Sequence, residues 1–101
     1  MILGGFFLKD YRFVIAVKEP AGYPKLNGFI EEHADRTVFF DTADKIEQND
    51  VIIGDSADVL RGGAIRIGFL PEGKTDLELF AEATHVTCSE EVLCQFLRQL
   101  L

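Results

Sequence analysis

The chain has 101 residues, 48 % hydrophobic and 27 % charged, the balance of a single globular domain over 1–101 and not of a disordered segment. Its formal net charge of −7 is spread along the chain, with nine acids and six bases in residues 1–50 and eight acids and four bases in 51–101. That acidity disfavours nucleic-acid backbones and anionic membrane surfaces as partners, and two cysteines, Cys88 and Cys94, make no disulfide framework.

Residues 1–8 are apolar and read as a strand over 2–8. The run is too short to span a bilayer and has neither the basic flank nor the cleavage site of a signal peptide, so a cytoplasmic location is expected. Lys9-Asp10 suits a tight turn, and 11–18 a second strand. Tyr11, Phe13, Ile15 and Val17 fall on one face of that strand, and Arg12, Val14, Ala16 and Lys18 on the other. The two strands are expected to form a hairpin, and the loop Glu19-Pro20-Ala21-Gly22-Tyr23-Pro24 is the clearest break after it.

Residues 26–41 admit two readings. Leu26, Phe29, Ile30 and His33 have helical spacing, but Gly28 weakens a helix and Thr37-Val38-Phe39-Phe40 is strongly β-prone. The expectation is a hairpin, with a strand over 28–33, a turn at Ala34-Asp35-Arg36 and a strand over 37–41. Val51-Ile52-Ile53 and 64–70 read as further strands, and Asp55 or Ser56 as the cap of one turn through Leu60. Thr75-Asp76-Leu77-Glu78 matches a capping box, yet 76–82 nearly alternates and 84–87 is extended, so a strand pairing with 64–70 is expected. The last element is a helix. Ser89 caps it, Glu90 and Glu91 suit its first turn, and Val92, Leu93, Phe96, Leu97, Leu100 and Leu101 make an apolar stripe.

The fold class expected from these runs is α+β, mostly β. It would be a strongly bent antiparallel sheet or small open barrel of about six strands with a C-terminal helix. Phe6-Phe7 and Phe39-Phe40 are adjacent pairs on strands, so one ring of each leaves the first face. A lone terminal helix covers one face only. The remaining apolar surface implies barrel closure, self-association or a ligand pocket.

No residue set converges on chemistry. On a strand, Glu31 and His33 would share a face, but a zinc site needs three or four ligands and the others are missing. His85, Cys88 and Cys94 have no recognised ligand spacing. Cys88 and His85 on an extended segment point opposite ways, which opposes a thiol–imidazole pair. Gly54-Asp55-Ser56 is similar to the nucleophile triplet of one lipase family over three residues only, without that family's structural context. Gly62-Gly63 lacks the lysine of a phosphate loop. Asp41, Asp44, Glu47 and Asp50 read as a solvated acidic loop.

No cofactor, metal or catalytic residue is therefore assigned. The expected function is a non-enzymatic binding or self-associating module, most simply a dimer. Its interface would use Phe96, Leu97, Leu100 and Leu101, then Phe6, Phe7, Phe39 and Phe40. Two alternatives remain: a small-molecule-binding or hydrolytic domain with a pocket near His33 or His85 and Cys88, and an accessory protein of a phage or other mobile element.

Overall fold

The computed structural model describes residues 11–42, 45–71 and 76–101. Five strands form one sheet: β1 (Arg12–Ala16), β2 (Thr37–Phe39), β3 (Asp50–Gly54), β4 (Ile65–Phe69) and β5 (His85–Thr87). Their spatial order is β2-β1-β3-β4-β5, and every pairing is parallel. Three helices accompany them: α1 (Pro24–Glu32), α2 (Leu77–Glu82) and α3 (Glu90–Gln99). The architecture is α/β, so the expected antiparallel sheet, barrel and hairpins are corrected. The expected strand over 2–8 lies outside the described residues.

The physical reason lies in β1 and β3. Phe13, Val14, Ile15, Val51, Ile52 and Ile53 are all buried, on both faces of the sheet. Strands covered on both sides are the mark of a parallel sheet, whose crossovers bring helices over its faces. The first face packs Phe13, Ile15, Val51, Ile53, Ile67 and Phe69 against Leu26, Phe29 and Ile30 of α1 and Leu93 and Leu97 of α3. The second packs Val14, Ile52, Leu60 and Leu70 against Leu79 of α2. Strand order runs outward in opposite directions from the centre, and crossovers share one hand, so the covering elements fall on opposite faces.

The expected strand over 28–33 is not formed: residues 28–32 are helical and His33 is the C-cap. Pro24 sits at the first helical position, where its missing N–H costs nothing, and the core contacts of Leu26, Phe29 and Ile30 outweigh Gly28. The expected strand over 37–41 survives as β2, shortened to three residues and paired with β1 instead of with 28–33. Residues 77–82 are also helical. Asp76 caps them by accepting the Leu79 N–H at 3.0 Å, and only the segment from His85 joins β4. The terminal helix is as expected, with Ser89 Oγ accepting the Val92 N–H at 3.1 Å, although Val92 itself points to solvent.

At the amino ends of β1 and β3, Arg12 and Asp50 are register partners and ion-pair partners. Arg12 donates from Nε to Asp50 Oδ1 at 2.9 Å and from Nη2 to Oδ2 at 2.7 Å, and Nη2 also donates to the Lys45 carbonyl at 2.8 Å. Asp50 Oδ2 accepts the Glu47 N–H as well, at 2.6 Å. Asp50 is thus buried and fully partnered, not part of a solvated acidic loop. Gly63 packs beside it with φ +74°, and a Cβ there would lie 2.9 Å from the Asp50 carbonyl oxygen.

Candidate functional site

β1 lies between β2 and β3, so the chain reverses its direction across the sheet at the β1/β3 boundary. In open α/β sheets the crevice outside the carboxyl ends of the strands at such a reversal is the general ligand position. Four strands deliver side chains there. Beyond β1 come Val17 and Lys18; beyond β3, Asp55 and Ser56; beyond β2, Phe40 and Asp41; beyond β4, Leu70 and Pro71.

Two grooves open at this edge. The first, about 300 Å³, is lined by Lys18, Tyr23, Asp55, Ser56, Phe69, Leu70 and Pro71. The second, about 580 Å³, is lined by Ile15, Ala16, Val17, Pro20, Phe39, Phe40, Asp41 and Val59 together with Lys18, Asp55 and Ser56. These three polar residues are the common wall of both grooves. Asp55 Oδ2 accepts the Lys18 backbone N–H at 3.3 Å, which ties the two strand ends together. The Lys18 side chain is exposed and makes no ion pair among the described residues. Tyr23 meets Phe69 edge-on, with ring centroids 5.1 Å apart, and gives the first groove an aromatic wall.

Chemically, the carboxylate of Asp55 can accept from ligand hydroxyls or amines, the Lys18 ammonium can donate to ligand oxygens, and the Ser56 hydroxyl can do either. The aromatic rings supply the apolar area that such sites use for affinity.

The residues singled out from sequence alone are dispersed. Phe39 and Phe40 are exposed and line the second groove. Leu97 is fully buried in the core, Phe96 and Leu100 pack at its rim, and Leu101 is partly exposed. Phe6 and Phe7 lie outside the described residues. His33 is the C-cap residue of α1 and its ring packs on Phe29 with centroids 4.7 Å apart; the strand that would have put Glu31 and His33 on one face is not formed. His85 lies on β5, stacks on Phe96 at 4.8 Å and holds Nδ1 2.9 Å from Thr84 Oγ1. It borders an apolar pocket of about 140 Å³ with Ile67, Val92 and Phe96. Cys88 is exposed. Cys94 is buried; that burial pushes its thiol pKa up, with Arg98 opposing. Among the described residues, no three His, Cys, Asp or Glu side chains gather to hold a metal ion.

Lys18, Asp55 and Ser56 were not legible as a site from the sequence. In the sequence Lys18 is one end of a mixed strand face, and Asp55 and Ser56 are alternative caps or two residues of a triplet that lacks its structural context. The first polar residue after each of two buried apolar strands is the signal that points to them once the sheet is known to be parallel. No helix among the described residues is long and apolar enough to cross a membrane. Comparison with protein-family models, curated proteins and solved structures finds no match.

Proposed function

We propose that the protein binds a small polar ligand with a ring-shaped apolar part at the carboxyl edge of its sheet. The observation that supports this most is the convergence of both grooves on Lys18, Asp55 and Ser56, where the strand order reverses. Asp55 and Lys18 would orient the ligand, and Tyr23 and Phe69 or Phe39 and Phe40 would cover its ring. The test is amide NMR of the whole chain against a panel of nucleosides, sugars and amino acids. Ligands that bind should shift Lys18, Asp55, Ser56 and Tyr23 together, and Lys18→Ala and Asp55→Ala should weaken them about tenfold or more. Ligands that shift only His85 and Phe96 would overturn the assignment.

A second reading is self-association through the β5 edge. Among the described residues β5 has a sheet neighbour on one side only, and Val86 on it and Val92 near it are exposed. A dimer in sedimentation that dissociates in Val92→Glu would support it, and a monomer at high concentration would dispose of it.

A further inference from the structure

The larger of the two carboxyl-edge grooves differs from the smaller in charge. Both contain Lys18 and Asp55, but only the larger, of about 580 Å³, also contains Asp41. Among the described residues its lining therefore carries two carboxylates against one ammonium. Lys18 cancels neither of them, because its side chain makes no ion pair with Asp41 or Asp55. The acceptors are also underused. Asp55 is half-buried, and among the described residues only its Oδ2 has a partner, the Lys18 backbone N–H at 3.3 Å. The side chains of Asp41 and Ser56 have no hydrogen-bond partner among those residues. Carboxylate oxygens with spare lone pairs inside a groove form the strongest hydrogen bonds with charged N–H donors.

Aromatic surface accompanies the charge. Phe39 and Phe40 line the same groove and are 46 % and 38 % exposed. Ring faces attract cations as well as apolar groups, and Val17 and Val59 extend the apolar lining. Spare anionic acceptors beside exposed rings match one ligand chemistry: a positive group with several N–H donors on an apolar body. A phosphate or carboxylate meets the opposite field, since the chain as a whole carries −7.

We propose that the larger groove takes a primary ammonium group carrying an apolar ring, the ammonium held by Asp41, Asp55 and Ser56 and the ring resting on Phe39 and Phe40. This deepens the binding function proposed above and rests on it. An ammonium has three donors, and two carboxylates and a hydroxyl give it three acceptors. The same two carboxylates reject a ligand whose polar end is an anion, so the site selects by repulsion as well as by attraction.

The probes share one ring and differ in charge: phenethylamine as the cation, 2-phenylethanol as the neutral form and 3-phenylpropionate as the anion. Each is titrated into the intact chain and followed by amide NMR, with circular dichroism as the check on folding. Phenethylamine should shift Phe39, Phe40 and Asp41 together with Asp55 and Ser56, and bind at least about tenfold more tightly than 2-phenylethanol. The anion should give no saturable shift. Asp41→Asn and Asp55→Asn keep the shape and lose the charge. Each should cost the amine about threefold or more in affinity and the alcohol less, whereas a merely structural role would weaken both ligands alike. Should Asp55→Asn not fold, Asp41→Asn decides alone. An amine that binds no more tightly than the alcohol, an anion that matches the amine, or an amine preference untouched in the folded variants overturns the proposal. Failure of the parent reading is a different result. If sugars or nucleosides shift Lys18, Asp55 and Ser56 and phenethylamine does not, the ammonium assignment falls and the binding function stands. If no small molecule shifts those three residues, the binding function itself falls.

Discussion

The same two strands are finished differently at their two ends. At the amino end, a base on β1 and an acid on β3 close on each other: Arg12 and Asp50 form a two-pronged pair, and Asp50 is only 1 % exposed. At the carboxyl end the arrangement recurs, with Lys18 after β1 and Asp55 after β3, but the side chains stay apart. Asp55 takes the Lys18 backbone N–H, and the exposed Lys18 side chain makes no ion pair among the described residues. A closed pair stabilises register. An open one costs little stability and keeps its hydrogen-bonding capacity for something else. The amino end is built as a clamp, and the open carboxyl end is the one at which binding is proposed.

Removing one partner of the closed pair is the strongest way to break this comparison. Asp50→Ala removes the carboxylate that accepts two Arg12 bonds and the Glu47 N–H, and urea unfolding should show a loss of about 3 kcal/mol. If the loss is negligible, the amino end is not the structural clamp described here. A smaller loss is expected from Gly63→Ala. The left-handed φ and the nearby Asp50 carbonyl both oppose a Cβ, and the cost should be about 1–2 kcal/mol. At the other end, Lys18→Met and Asp55→Asn should each move stability by no more than about 0.5 kcal/mol, as expected of open polar positions. A large destabilisation by Asp55→Asn would mean that the carboxyl end too is a structural clamp.

The smallest effect lies away from both ends, at Cys94. Burial raises the thiol pKa in the folded chain, so the folded state keeps its proton where the unfolded state has lost it. The contribution is therefore complete below the unfolded thiol's pKa, about 8.5, and declines as pH rises beyond it. Unfolding free energy measured across that range should fall less steeply in Cys94→Ala than in the parent chain. Exposed Cys88 should react with thiol reagents first.

Much of the fold was legible as positions and little of it as pairing. The segments that became β1, β3, β4 and β5 stand out as short apolar or extended runs, and α3 announces itself through Ser89 and its stripe. Reading 76–82 as extended failed because its capping signal was real but began at Asp76, and a six-residue helix buries only Leu79. The candidate site was invisible for a related reason. Lys18 and Asp55 are 37 residues apart and become neighbours only because β1 and β3 pair side by side.

By itself, then, the sequence determined which segments are apolar enough to be extended, where α3 starts, and that the chain is acidic. Tertiary structure alone decided that the strands run parallel, that 24–32 is a helix, and which charges meet. The reason is that a short apolar run is equally content in either kind of ladder. Only the burial of its second face, under helices supplied by distant parts of the chain, selects the parallel one.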